Sequence, residues 1–299
     1  MLTLWPSMRQ ALYRPFSSLL VIALVAVVVL ANTTLFSALW TLGGKPLPYR
    51  QDARLLELRI HLTDIDFRVS LAPRLLEALR AESSVFPAQI GFPGARTARD
   101  ADGRTLQLQR ISADFNEVLG VQPKIGNAFE LARERTASGA LPLLISSAHW
   151  QQRYGADPAI VGRRERIAEQ DFEIVGVMPA VFGFPSPAID AWTPYQADAA
   201  EREQDAAGGF GDFSVVARLA DGATTVAAQA ALQRVLRADP AMLAMDPDGS
   251  RGHADVRSWR ERYTGDHWRT LELLQAAALL LLLVVAASLA NLGLDHVLA

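Results

Sequence analysis

The chain has 299 residues, no cysteine and a formal net charge of -3. That charge excludes the basic face of a nucleic-acid binder. The lack of cysteine excludes disulfides without identifying a compartment, so any core is held by packing alone. Half the residues, 50%, are hydrophobic, an ordinary share, but many sit in two apolar stretches near the ends.

The first stretch, Pro15 to Gly44, carries no charge. A helix needs roughly 20 apolar residues to cross the hydrocarbon core, so residues 15–42 read as a first transmembrane helix. The preceding tail, residues 1–14, holds Arg9 and Arg14 and no acid, which places it in the cytoplasm. The alternative is a cleaved signal peptide, whose apolar region is shorter, ~7–15 residues. Bulky Phe36, Leu39 and Trp40 at the outer end argue against cleavage, and Trp40 suits a membrane-interface anchor. Asn32, Thr33, Thr34 and Ser37 are helix-packing candidates, because amides and hydroxyls in hydrocarbon need partners. Partial hydration near the interface is the other reading of Asn32.

The middle, residues 43–270, reads as one large extracytoplasmic domain. Leu55 to Ile60 alternates as a half-buried strand. Leu71 to Ala81 has helical spacing, with Ser70 as N-cap and Pro73 in the first turn. Val85 to Phe92 is a returning strand. Leu106 to Ile111 alternates again, and Ser112 or Asp114 caps a short helix ended by Gly120. Leu141 to Ile145 is an apolar strand, followed by a helix capped by Ser146 or Ser147 and stopped by Gly155. Arg163 to Ile167 and Phe172 to Val177 form a hairpin. Pro179, Pro185 and Pro187 forbid regular structure up to Trp192. Ala199 to Gly211 reads as a mobile loop or subdomain boundary. Phe213 to Leu219 is a strand, Asp221-Gly222 a turn, Val226 to Leu236 a helix and Ala254 to Ser258 a final strand. The expected fold class is α+β, two lobes with one discontinuous. The outer lobe takes about 50–98 and 212–268, and the inserted lobe about 99–211.

Residues 271–294 read as a second transmembrane helix, with an unbroken leucine run from Leu279 to Leu283. Ser288 and Asn291 are its helix-packing candidates; for Asn291 packing and interface readings stand level. The C-terminal end, residues 295–299, has only Asp295 and His296 as ionisable groups.

No catalytic, cofactor-binding or metal residues are assigned. Gly43-Gly44-Lys45 lacks the spacing of a phosphate loop. Gly208-Gly209-Phe210-Gly211 lacks the flanking strand and helix of a dinucleotide fingerprint. His61, His149, His253, His267 and His296 are scattered, without zinc-ligand spacing. Asp246-Pro247-Asp248-Gly249 has its glycine misplaced for a calcium loop and reads as a turn.

Several runs resemble the permease subunits of MacB-type ABC transporters, the FtsX-like permease family with its duplicated-permease branch. They are Ala31-Asn32-Thr33-Thr34-Leu35-Phe36-Ser37 with Pro46-Leu47-Pro48-Tyr49. Next comes Ile111-Ser112-Ala113-Asp114-Phe115-Asn116-Glu117-Val118-Leu119-Gly120-Val121-Gln122-Pro123, with Gly126 and Phe129. Tyr154-Gly155-Ala156-Asp157-Pro158 and Val161-Gly162 follow. Then come Phe172-Glu173-Ile174-Val175-Gly176-Val177-Met178-Pro179 and, near the end, Ala290-Asn291-Leu292. The runs keep the family's order. Val28-Val29-Leu30 stands where the family carries Gly-x-Gly, and Asn127 where an Arg is common. The family continues past the second span into a coupling segment and two further spans, so the resemblance covers its N-terminal half.

The resemblance implies a noncatalytic permease subunit, or half of one, of the bacterial inner membrane, with a periplasmic core domain. ATP-driven helix motion would be carried to that domain for export or envelope mechanotransmission. Implied partners are a second or sister permease, a cytoplasmic ABC ATPase and membrane lipids, with no cofactor. The rival expectation is a truncated or accessory interaction protein that pairs with full-length permeases.

Overall fold

The computed structural model describes residues 15–39, 47–129, 135–209, 212–264, 273–284 and 286–287. The chain divides into two compact units, one formed by Met1–Pro46 with Glu261–Ala299, the other by Leu47–Arg260.

In the first unit, helix α1 (Pro15–Leu39) is a 25-residue run without a charged side chain. Residues 273–284 are also helical and expose Leu273, Leu280 and Leu283. Among the described residues no helix is long and apolar enough to cross a membrane. On α1 only the side chains of Ala23 and residues 25–37 are described.

The second unit is built on two sheets. Strand β1 (Leu55–Leu62) carries Leu56, Leu58 and Ile60 at alternate positions, all buried in the core beneath the helices. A short β2 (Phe67–Val69) folds back on its end. Helix α2 (Pro73–Ala81) buries Leu75, Leu76 and Leu79, each worth about 1.5–3 kcal/mol relative to exposure. Its N-cap is Ala72, not the expected Ser70. The residue before a proline is pushed out of the helical region, so the helix starts at Pro73 itself. Strand β3 (Ala88–Pro93) follows, after Val85 and Phe86 have closed the turn with N–H bonds to the Glu82 carbonyl.

The chain returns to this sheet much later, in β11 (Phe213–Arg218), α6 (Thr225–Ala238), α7 (Pro240–Met245) and β12 (Gly252–Ser258). The strand order β12-β1-β11-β3 is antiparallel throughout. This is the split βαβ arrangement of the ferredoxin-like type. Ala228, Ala231 and Leu232 of α6 share one core with the leucines of α2.

Everything between β3 and β11 is an insertion. Its ends stay paired, with Pro93 opposite Phe213 and the Gly94 N–H bonded to the Asp212 carbonyl at 3.1 Å. The insertion forms the second sheet from β4 (Arg96–Arg99), β5 (Thr105–Ile111), β6 (Ile125–Gly126), β7 (Leu141–Ile145), β8 (Arg164–Ile167), β9 (Gln170–Val177) and β10 (Ala191–Pro194), ordered β4-β5-β10-β7-β9-β6 with β8 on β9. β7 is buried along its whole length between β10 and β9, which explains its continuous apolar run. Helix α3 (Phe115–Leu119) ends on Gly120 at φ 68°, where a left-handed residue is needed. Helix α4 (Ser147–Tyr154) starts at Ser146, whose hydroxyl accepts the His149 N–H at 3.0 Å.

Residues 199–206 are not a loop. They form α5 (Ala199–Ala206), closed by a reciprocal capping box in which Asp198 accepts the Glu201 N–H and Glu201 accepts the Asp198 N–H, both at 2.9 Å. It buries no apolar residue, which hides the helix from a hydrophobic-periodicity reading.

An aromatic cluster joins the lobes. Phe92 of β3 lies 5.1 Å from Phe184, and Phe182 lies 5.0 Å from Trp192, ring centre to ring centre.

Candidate functional site

Two arrangements bear on function, one in each unit. In the helical unit, Asn32 sits at the α1 face turned to residues 273–284. Its Nδ2 donates to the Val28 carbonyl one turn back and to the Ala278 carbonyl on the other helix, both at 3.1 Å. Gln275 donates to Asn32 Oδ1 at 3.3 Å. Both amide groups are thereby drawn into one interhelical link. The Gln275 Oε1 is buried with no hydrogen-bond partner among the described residues.

Thr33 and Thr34 turn elsewhere. Their hydroxyls donate to the Val29 and Leu30 carbonyls of their own helix at 2.8 Å. Such back-bonding satisfies a hydroxyl without a second helix. Ser37 is exposed on α1. Trp40, Ser288 and Asn291 lie outside the described residues, as does the tail of residues 1–14. Gln275 was absent from the sequence-based candidates, although a lone amide at the head of an apolar run was the signal for it.

In the core domain a cleft of about 370 Å³ opens where the insertion leaves the first sheet. Arg96, Arg110, Tyr195, Glu201 and Asp205 line it. β5 supplies Arg110 and α5 supplies Glu201, and the guanidinium meets the carboxylate through both nitrogens, Nη1 to Oε2 at 3.0 Å. Arg96 adds a bond to Glu201 at 3.0 Å and one to Asp198 at 3.3 Å. The Arg110 guanidinium also lies 5.3 Å from the centre of the Tyr195 ring, within cation–π reach.

The electrostatics follow from these contacts. The hydrogen bond from Arg110 holds the Glu201 carboxyl below its ordinary value. Burial, and then the negative charge of Glu201, pushes the Tyr195 phenol up to about 12. At the rim, Arg74 binds Asp239 at 2.9 Å and Asp205 at 3.0 Å, and reaches the Gly209 carbonyl at 3.1 Å. It thereby fastens α2 of the outer lobe to α5 of the inserted one. Arg96 and Arg110 thus pair with Glu201 inside the inserted lobe, and it is the Arg74–Asp205 pair that ties the two lobes across the cleft.

Burial holds the His149 imidazole below its ordinary pKa, and its Nδ1 stands 3.9 Å from Asp190, beyond hydrogen-bond distance. Among the described residues no group of three or more His, Asp or Glu could hold a metal ion.

Comparison with known proteins points one way. The sequence matches the family described as MacB-like periplasmic core domain over residues 18–235, more than half of the chain. Among solved structures, the periplasmic region of MacB from Actinobacillus actinomycetemcomitans is similar at 10% identity and a TM-score of 0.47, covering 70% of this chain and 90% of that one. The extracellular domain of the noncanonic ABC-type transporter YknZ from Gram-positive bacteria is similar at 16% identity and a TM-score of 0.46, covering 68% and 99%. Among curated proteins none matches.

Proposed function

The chain belongs to the MacB-like periplasmic core domain family, and from that premise we propose that it is a noncatalytic permease subunit of an ABC transporter. Its two apolar end segments span the inner membrane, and the core domain stands in the periplasm between them. A separate cytoplasmic ATPase supplies the energy, and a second or sister permease completes the assembly. The core domain receives helix motion and delivers it as export or as conformational work in the envelope.

The family match carries this reading. Two features of the chain support it. Helix α1 runs for 25 residues without a charged side chain. Its one amide is joined to the second apolar helix through the Ala278 carbonyl, as expected where no water is present to satisfy it. The insertion between β3 and β11 adds a lobe without opening the first sheet, because its ends remain paired at Pro93 and Phe213. A domain so built can be moved without being unfolded.

Two measurements test the proposal. The lack of cysteine allows a single thiol to be introduced at the exposed Pro158. An impermeant thiol reagent is expected to label it in intact spheroplasts. Labelling only after lysis would overturn the topology. The full chain, purified in mild detergent with a sister permease, is expected to retain an ABC ATPase. A preparation that never retains one would overturn the transporter role.

A further inference from the structure

The core domain begins at Leu47 and closes at Arg260, and a single carboxylate touches both ends. Asp52 Oδ2 accepts the Leu47 N–H at 2.9 Å and the Arg260 Nη2 at 3.2 Å. Asp52 lies in the short 3-10 turn Asp52–Arg54 that leads into β1. Arg260 belongs to α8 (Trp259–Thr264), which follows β12 directly. Residues far apart in sequence are thus joined where the chain arrives and where it leaves.

Behind the ion pair the same two segments meet a third. Tyr49 packs edge-on against Phe184 at 6.0 Å and 82°. Trp259 lies 5.0 Å from Phe184, and Phe92 of β3 stands against both. Phe184 and Trp259 are fully buried and Tyr49 nearly so. Phe184 belongs to the proline-rich stretch of the inserted lobe, and its carbonyl accepts the Trp192 indole N–H at 2.7 Å. One ring of the insertion therefore contacts both the arriving and the departing chain. Aromatic pairs in such offset and edge-on geometries gain energy beyond area burial and hold a defined orientation.

We infer that Asp52 and Arg260, with Tyr49, Phe184 and Trp259, form a clamp that couples the two ends of the core domain to each other and to the inserted lobe. A displacement entering at either end is then shared by both and reaches the insertion through Phe184. An ordinary core would fill the same space but would leave each end free to loosen alone. The use of the clamp in force transmission rests on the permease reading above; its existence does not, because it is measured without any ATPase.

Hydrogen exchange of the full chain in lipid nanodiscs tests it. Asp52→Ala is expected to accelerate exchange by roughly tenfold in residues 255–260 as well as in 47–54, and Arg260→Gln to do the same in both segments. Phe184→Leu is expected to loosen both ends together with 182–192. Acceleration confined, in both charge variants, to the segment that carries the substitution overturns the clamp. If Phe184→Leu does not fold, the two charge variants decide the question alone. A clamp that passes this test in a chain that never retains an ATPase would keep the coupling and remove its proposed use.

Discussion

The side chain of Gln233 is fastened to the backbone of β12 around Ala254. Its Oε1 accepts the Ala254 N–H at 2.7 Å, and its Nε2 donates to the Gly252 carbonyl at 3.1 Å. Gln229, one turn earlier on α6, donates to the Ala254 carbonyl at 3.1 Å. β12 is an edge strand, paired only with β1. Edge strands offer unpaired backbone groups to other chains, and here two glutamines occupy them. Gln233→Leu is expected to cost about 1–3 kcal/mol by leaving a backbone donor without its partner. It should also promote self-association at high concentration. Urea unfolding and size-exclusion chromatography check the two effects, and an unchanged midpoint would show that water replaces the amide without loss.

Asn32 and Gln275 form the corresponding polar link of the helical unit. In a bilayer such interhelical bonds contribute about 0.6–2 kcal/mol. Asn32→Ala and Gln275→Ala should each weaken the helix pair, and the double variant should cost less than the sum of the two. Unfolding in mixed micelles titrated with dodecyl sulfate reads this coupling as a double-mutant cycle. Strict additivity would mean that the two amides act independently and that the 3.3 Å contact between them carries no energy.

Much of this architecture was readable from local chemistry. The hairpin β8–β9 and the stop at Gly120 followed from alternation and end signals; at the head of α4 the sequence offered Ser146 or Ser147, and the cap is Ser146. The charged edge strand β4 did not, because Ala98 is its only buried residue. Helix α5 was missed for the opposite reason to a core helix: it buries nothing, and its Asp198-x-x-Glu201 box was the one signal available. The contacts of most functional interest were beyond any local reading. Asp52 with Arg260, and Arg110 with Glu201, are joined by topology, and no window of sequence contains both partners.

The turn between β8 and β9 is Ala168-Glu169, with φ of 47° and 65°. Two left-handed residues are what a primed two-residue hairpin turn demands, and Asn-Gly meets that demand better than Ala-Glu. The left-handed conformation costs roughly 1–2 kcal/mol per ordinary residue. Replacing the pair with Ala168→Asn and Glu169→Gly is therefore expected to stabilise the core domain by about 1–2 kcal/mol. The loss of the exposed Arg166–Glu169 ion pair offsets little of this. A calorimetric scan should show a rise in Tm of roughly 2–6 °C for a domain of this size. A fall would mean that the turn relies on contacts made by Glu169 itself.

Acid sensitivity should concentrate at the interlobe cleft. Glu201 has a folded-state pKa below its ordinary 4.5, chiefly through the hydrogen bond from Arg110. A depressed carboxyl contributes stability that is present above the unfolded value and is lost as pH falls through the lower folded one. The wild-type chain should therefore lose stability below about pH 4.5 as the Arg110–Glu201 pair is protonated away. Glu201→Gln should be less stable at neutral pH, since the side chain of Arg110 is only 13% exposed and is left without its carboxylate. Its stability should then fall less steeply through the acid window. Glu173 and Asp246, also depressed by hydrogen bonds, remain in both proteins, so the difference between the two curves isolates Glu201 together with Asp198, its capping-box partner on Arg96. Urea unfolding of the full chain at intervals between pH 7 and pH 3 supplies those curves. Parallel curves would assign the acid response to the other carboxylates and leave the cleft pair without a share in it.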